Sequence, residues 1–429
     1  MNIVIIGNSA AGTAAVEAIR HHDQTSSIVQ LSDEGHPLYS RCLLSYYLAG
    51  TNTKESLLFR EADFHHKMKV ELHAGAPFRV VALNTSKRLV TCANGQSFPY
   101  DRLLIATGAA AKLPDGIPNN VDGIFMLRTW DDAETLKARI PDIKQAIVLG
   151  GGLIGVKAAI ALSTCGVKTT MLIRSNSVLS QMIDYNASRI ISDQLMENNI
   201  QVLHQRDVKK VLSKKGRLTG VKTDRGEELE CDLLIAAKGV KPNTQLVKGT
   251  AIVTKEGIRT NTYMQTDEEN VYAAGDVAES FDITLEDYTV NALWTCAMQQ
   301  GHVAGLNMIG QKTPYDGTIG MNALNVYNTS LISFGLTAPE DESKYKVLVL
   351  NQPDRRLYKK IVIGSDNRVK GMILLGRITN AGVLLSIIRR KMDVSQFAHE
   401  LLSERFDFGK VLKYGGTPDL DRYYNSHLL

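Results

Sequence analysis

Two segments of this 429-residue chain follow one plan. Ile3-Val4-Ile5-Ile6 runs into Gly7-Asn8-Ser9-Ala10-Ala11-Gly12, and Ala146-Ile147-Val148-Leu149 runs into Gly150-Gly151-Gly152-Leu153-Ile154-Gly155. Each begins as an unbroken apolar run, the pattern of a parallel strand buried on both faces. A glycine turn follows, and then small and apolar residues at helical spacing over Thr13 to Ile19 and Val156 to Leu162. A strand that feeds a helix through such a turn aims backbone N–H groups and the positive helix end at one point, where a pyrophosphate fits. The repeat predicts an α/β chain with two doubly wound parallel sheets, each able to hold a dinucleotide.

Composition agrees with that reading and narrows it. Hydrophobic residues make up 44% and charged residues 22%, and the length is too great for one ordinary core. Lys and Arg number 49 against 45 Asp and Glu, without a basic run, so nucleic acid and anionic membrane are excluded as first partners. Met1 leads straight into Ile3 to Ile6 with no basic leader, and Gly, Lys or Asp interrupts every apolar stretch. No signal peptide, no membrane helix and a cytoplasmic location are therefore expected. The five cysteines, at 42, 92, 165, 231 and 296, show no C-x-x-C and no metal-ligand spacing. No metal site is expected from them, and Cys92, Cys165, Cys231 and Cys296 are read as core. The pairs His21-His22 and His65-His66 are read as solvated surface, because adjacent helix residues do not converge on one ligand.

The two turns are not identical. Ser9 occupies the place of the second glycine in the first, whereas all three places are filled in the second. After the strand Ile28 to Leu31 comes Asp33-Glu34, where an acid would bind a ribose. After Thr169 to Ile173 comes Arg174, a residue that can accommodate a 2′-phosphate. Two dinucleotide sites in one chain suit a flavin and a nicotinamide, which exchange hydride across a domain interface.

Further motifs stand in a fixed order along the chain. Asp101-Arg102-Leu103-Leu104-Ile105-Ala106-Thr107-Gly108 comes first. Asp232-Leu233-Leu234-Ile235-Ala236-Ala237-Lys238-Gly239 follows, then Val271-Tyr272-Ala273-Ala274-Gly275-Asp276, then Trp294-Thr295-Cys296-Ala297 opening a small-residue helix. In this order they resemble the two-dinucleotide flavoprotein reductases, the pyridine nucleotide-disulfide oxidoreductase superfamily, and most nearly its rubredoxin reductase and nitrite reductase flavin-domain members. The resemblance implies an FAD domain at 1–112 and 241–313, an inserted NAD(P) domain at 113–240 and a C-terminal α+β domain at 314–429. It assigns FAD to Gly7, Ser9, Ala10, Ala11, Gly12, Asp33, Glu34, Arg41, Ala106, Thr107, Gly108, Gly275, Asp276 and Trp294. It assigns NADH or NADPH to Gly150, Gly152, Leu153, Ile154, Gly155, Arg174 and Gly239. In the tail, Tyr315 to Asn322, Phe334-Gly335, Tyr358 to Lys360 and Gly371 to Gly376 read as an antiparallel sheet closed by a helix from Ala381 to Arg390.

The electron acceptor turns on Tyr39-Ser40-Arg41-Cys42-Leu43-Leu44-Ser45-Tyr46-Tyr47-Leu48-Ala49-Gly50, which the resemblance places beside the flavin ring. Arg41, Leu44 and Ser45 resemble the branch that hands electrons to another redox protein. Cys42 falls where coenzyme A disulfide reductases and NADH oxidases carry a redox thiol, so Arg41 and Cys42 are the candidate catalytic residues. Leu43 and Ser45 depart from the thiol branch. Tyr46 stands where relatives of the first branch place lysine, and Lys157, two after Gly155, where many relatives place glutamate. A flavin can accept hydride and release electrons singly, so a chain with one doubtful thiol is read as needing a second protein. The reading is an FAD-dependent NAD(P)H oxidoreductase, either a homo-oligomer or part of a hetero-complex. Its partner is an iron–sulfur or rubredoxin-type protein or a tungsten or molybdenum oxidoreductase subunit. The alternatives are a thiol enzyme working through Cys42, and a flavin-bound assembly or regulatory subunit with a vestigial NAD(P) site.

Overall fold

The computed structural model describes residues 1–415 and divides into two compact units. The first unit, residues 1–179, 195–282 and 286–318, holds both glycine turns. Its first sheet is wholly parallel, in the order β19-β7-β1-β2-β3. These strands are β1 (Asn2–Ile6), β2 (Ser27–Ser32), β3 (Val70–Ala74), β7 (Arg102–Ile105) and β19 (Val271–Ala273). Helix α1 (Ala10–His22) crosses from β1 to β2, short helices α2 (Leu44–Leu48) and α3 (Phe64–Lys67) precede β3, and an antiparallel meander of β4 (Val80–Asn84), β5 (Leu89–Cys92) and β6 (Ser97–Pro99) separates β3 from β7. The interiors of β1, β7 and β19 are buried, as their unbroken apolar runs require, whereas the edge strand β3 buries only Val70.

The second sheet repeats this topology. β10 (Gln145–Leu149), α5 (Leu153–Thr164), β11 (Lys168–Ile173) and β12 (Ile200–His204) repeat β1 to β3, a meander of β13 (Val208–Lys214), β14 (Arg217–Thr223) and β15 (Glu228–Glu230) follows, and β16 (Leu233–Ala236) takes the place of β7. The order is β12-β11-β10-β16-β9, again parallel. The fifth position differs in origin, because β9 (Ile124–Phe125) precedes its sheet in the chain whereas β19 follows its own. Helix α4 (Trp130–Arg139) lies between β9 and β10. β8 (Ala109–Ala111) and β17 (Val240–Pro242) pair antiparallel where the chain leaves and re-enters the first sheet. After two short pairing segments, β18 (Ile258–Arg259) with β20 (Ala278–Asp282) and β20 with β21 (Asp287–Thr289), helix α7 (Trp294–Met308) packs on α1. Gly301 and Gly305 permit that contact: a Cβ on either would stand 2.1 Å from the Ala11 carbonyl oxygen or 2.7 Å from that of Ala15.

The second unit contains Ser180–Gln194, Ile283–Leu285 and the chain from Ile319 on. Beyond most of α6 (Tyr185–Glu197), it is an antiparallel sheet in the order β22-β23-β26-β25-β24. Its strands are β22 (Met321–Val326), β23 (Thr329–Gly335), β24 (Lys346–Gln352), β25 (Leu357–Ile363) and β26 (Val369–Leu375). The antiparallel sheet and the closing helix α8 (Ala381–Arg389) are as expected, but the first strand begins at Met321 rather than Tyr315, and β24 is a strand that the sequence motifs did not single out. Ala381, Leu384, Ile387 and Ile388 turn the apolar face of α8 onto Ile361, Met372 and Leu374, and α9 (Phe408–Gly415) ends the described chain. On β25 the pleat sends alternate side chains to opposite faces. Tyr358 OH donates to Asp184 Oδ2 at 2.5 Å and Lys360 Nζ reaches Asp184 and Glu342, while Lys359 donates to the carbonyl oxygens of Leu401 and Leu402. Burial brings Lys359 down to about 8. Among the described residues no helix is long and apolar enough to cross a membrane.

Candidate dinucleotide sites

The two turns share their backbone. Gly7 and Gly150 both have φ of 124°, and a Cβ on either would stand 2.1 Å from the Ala106 carbonyl oxygen or 2.3 Å from that of Ala237. A Cβ on Gly12 or Gly155 would stand 2.1 Å from the carbonyl oxygen of Gly7 or Gly150. The fold itself requires glycine at these four places. Gly152 is different, since its Cβ would meet nothing within 4 Å. The protein leaves room there, at the N-cap of α5, beside Leu153 and the 41% exposed Ile154. Open space at a helix N-terminus, next to an uncovered isoleucine, is a cradle that fits a pyrophosphate and a ring. In the first turn Ser9 caps α1 without a side-chain hydrogen bond to it, and Ala10 and Ala11 are buried in the first helical turn. Beneath it lies fully buried Gln30, whose amide nitrogen donates to the Gly7 carbonyl oxygen at 2.9 Å. The Oε1 of Gln30 and the Oγ1 of Thr13 are buried without a partner.

Ala106-Thr107-Gly108 and Ala237-Lys238-Gly239 follow β7 and β16 in equivalent positions. Gly108 and Gly239 have φ of 64° and 88°, and both face open space. Thr107 Oγ1 donates to the Asn243 carbonyl oxygen at 3.1 Å, and Lys238 Nζ lies 3.0 Å from Asp207 Oδ2. Gly275 has φ of 82° and donates its N–H to Gln300 Oε1 of α7 at 2.8 Å. At the start of α7, half-buried Trp294 meets Phe59 edge to face, ring centroids 5.0 Å apart. Residues expected at the flavin thus come from β1, β2, β7, β19 and α7 of one unit.

A charged network joins several of them. Glu34 pairs with Arg41 and accepts the Tyr39 hydroxyl at 2.5 Å, while Asp33 is exposed. Arg41 Nη1 donates to the Arg128 carbonyl oxygen at 3.0 Å, and Arg128 Nη2 reaches Asp276 Oδ2 at 2.6 Å. Burial, chiefly, raises the Tyr39 hydroxyl well above the usual phenol range. Arg128 was not singled out in the sequence. The available signal was the capping box that follows it, in which Thr129 Oγ1 accepts the Asp132 N–H at 3.1 Å and Asp132 Oδ2 accepts the N–H of Thr129 at 2.8 Å. That box fixes the start of α4 and so holds Arg128 in place.

Cys42 is exposed, on a 3₁₀ turn (Arg41–Leu43) that enters α2, and no cysteine is bonded to another. Arg174 is exposed just past β11. Two expectations need correction. Cys165 is exposed rather than core, because α5 ends at Thr164 and the Cys165 C-cap lies on the surface with its thiol 3.5 Å from the Leu48 carbonyl oxygen. His65 is half-buried rather than solvated. Its Nε2 lies 2.9 Å from Asn8 Oδ1 of the first glycine turn, and burial holds its pKa below the usual imidazole value. Cys92, Cys231 and Cys296 are buried as expected, with Cys231 pushed up to about 12 by burial.

Comparison with known proteins follows this division of the chain. Residues 1–301 match the pyridine nucleotide-disulphide oxidoreductase family, and residues 321–392 match the rubredoxin NAD+ reductase C-terminal domain. The chain is 29% identical to the epsilon subunit of the NADH-dependent phenylglyoxylate dehydrogenase of Aromatoleum evansii, over 95% of this chain and 96% of that one. It is 28% identical to the NAD(P)H nitrite reductase of Bacillus subtilis, over 92% of this chain and 48% of the relative, so it spans about half of that protein. Among solved structures, the NAD-dependent persulfide reductase of A. fulgidus superposes with a TM-score of 0.86 at 25% identity, covering 93% of this chain and 79% of that one. The chain therefore belongs to the pyridine nucleotide-disulphide oxidoreductase family and is an NAD(P)H oxidoreductase that uses FAD.

Proposed function

We propose that this protein carries electrons between a nicotinamide dinucleotide and a separate redox protein of iron–sulfur or rubredoxin type, as a flavin subunit in the cytoplasm. The observation that carries this reading is the match of residues 321–392 to the rubredoxin NAD+ reductase C-terminal domain, joined to a first unit with Arg41, Leu44 and Ser45 after β2. The two relatives described above support it. One is by name a subunit of a larger dehydrogenase, and the other is about twice the length of the part that matches. A tungsten or molybdenum oxidoreductase subunit is a partner of the same kind.

FAD, when bound, supplies a centre that takes hydride and releases single electrons. The residues divide the remaining work. Gly7 to Gly12 and the start of α1 receive the flavin pyrophosphate, and Arg128 holds Asp276 at the end of β19. Gly152 to Gly155 receive the nicotinamide dinucleotide, and Arg174 leaves a 2′-phosphate acceptable, so NADPH is usable beside NADH.

A thiol enzyme is the second reading, favoured by the exposure of Cys42. Anaerobic titration with NADH separates the two. Uptake of two electrons per FAD, unchanged in Cys42→Ser, is the expected result. Four electrons, falling to two in that variant, would replace the partner-protein reading with a redox thiol. Rapid bleaching of the flavin by NADH disposes of a vestigial nicotinamide site, the third reading.

A further inference from the structure

Most cations around the candidate sites are paired with carboxylates: Arg41 with Glu34, Arg128 with Asp276, Lys238 with Asp207, Arg60 with Glu17 and Lys54 with Glu134. Lys137 instead donates to the Tyr47 carbonyl oxygen at 2.9 Å. Lys157 has neither kind of partner among the described residues. Its half-buried side chain faces the ring of Tyr46, the ammonium 5.2 Å from the centroid, with Cys42 nearby. Burial draws its pKa below the usual ammonium value. An ammonium taken partly out of water with only a π face for company has forfeited hydration it does not regain. Such a charge fits a place where negative charge arrives.

Position says which charge. Lys157 lies three residues after Ile154, and residues at that spacing share a helix face. That face of α5 carries the uncovered Ile154 just inside the open N-cap Gly152 and, one turn on, Lys157 against α2. This side chain thus joins the helix that follows the second glycine turn to the Cys42–Tyr46 stretch. We infer that Lys157 is a positioning residue for electron transfer, whose ammonium stabilises the negative charge that accompanies electrons delivered beside Cys42 and Tyr46. The inference rests on the placement of the flavin ring beside that stretch. Hydride leaving NADH yields NAD+ and one added negative charge at the acceptor, until a proton from solvent follows. A neighbouring unpaired cation favours that product and therefore NADH oxidation over the reverse flow.

The test uses the FAD-loaded protein and Lys157→Met, Lys157→Arg and the exchange Tyr46→Lys/Lys157→Glu. Flavin content, midpoint potential against a reference dye, and the stopped-flow rate of flavin reduction by NADH are measured for each. Lys157→Met should retain FAD, shift the potential to a more negative value and slow reduction roughly tenfold. Lys157→Arg should restore both, and the double exchange should recover more than the sum of its single changes. The shift should persist in a Cys42→Ser background. An unchanged potential in Lys157→Met overturns the inference, and so does a shift that vanishes without the thiol, because Lys157 would then serve Cys42 alone. A wild-type protein that binds no FAD would refute the flavin placement instead, a result read before any variant is made.

Discussion

The turn proposed for the flavin and the turn proposed for the nicotinamide start from the same φ at Gly7 and Gly150 and the same clash with the carbonyl of an alanine, yet the next residue is Asn8 in one and Gly151 in the other. The strands beside them account for this. β11 ends in Ile173, whose side chain would be 2.9 Å from a Cβ on Gly151, whereas β2 ends in the smaller Ser32 at the equivalent register. Asn8 has room to reach His65. The helices diverge in the same way. Ala11 and Ala15 of α1 take the approach of α7 at Gly301 and Gly305, and Ala14 beside them is buried, while its counterpart on α5 is Lys157, turned toward α2. The helix of the first sheet closes against a second helix, and the helix of the second keeps a lysine on the side of α2.

If the first glycines are requirements of the fold and the two turns are independent, Gly7→Ala and Gly150→Ala should give the largest effects and different ones. Each forces a side chain into a left-handed conformation and onto a backbone oxygen, a cost of about 3 kcal/mol or more. Gly7→Ala should purify with little FAD. Gly150→Ala should stay yellow but lose reduction by NADH, with a lowered Tm. Loss of FAD in Gly150→Ala as well would show that the turns are coupled and break the comparison.

The second position should behave otherwise, because at Gly152 the ligand and not the protein sets the limit. Gly152→Val should leave Tm within about a degree of wild type, as expected where a new side chain meets open space, yet raise the KM for NADH at least tenfold. Ser9 already holds a side chain at the equivalent place, so Gly152→Ser should fall between. A Tm drop in Gly152→Val as large as that of Gly150→Ala would mean that the space at the α5 N-cap is not open.

Both turns, both sheets and the closing antiparallel domain were legible in the sequence, because buried parallel strands and required glycines leave local marks that need no partner to be recognised. The contacts that finish the site were not. Arg128 meets Asp276 across 148 residues and His65 meets Asn8 across 57, and no local pattern carries either pairing. Cys165 was misread as core because helical periodicity tells which face is apolar but not where the last turn ends. Tyr46 and Lys157 were each noticed as departures from the family pattern, and only the structure brings the ammonium of one over the ring of the other.

The smallest effect concerns Asn8 and His65, a contact without a counterpart in the nicotinamide turn. Burial disfavours the imidazolium, so in the folded protein His65 stays neutral to a lower pH than a free imidazole does. Between the two values the unfolded chain binds a proton that the folded chain does not. The stability this group contributes is therefore present above about pH 6.5 and lost as pH falls through the folded value. Acidification should loosen the flavin turn first, through the imidazole bonded to Asn8. Comparing thermal melts at about pH 7.5 and pH 5.5, His65→Gln should lose roughly a degree or two less than wild type. Its FAD should also be released less readily in acid, while the NADH turn, with Gly151 in place of Asn8, should show no matching change. An identical acid loss in wild type and His65→Gln would leave Asn8 without a titrating partner and reduce this difference between the two turns to one of shape.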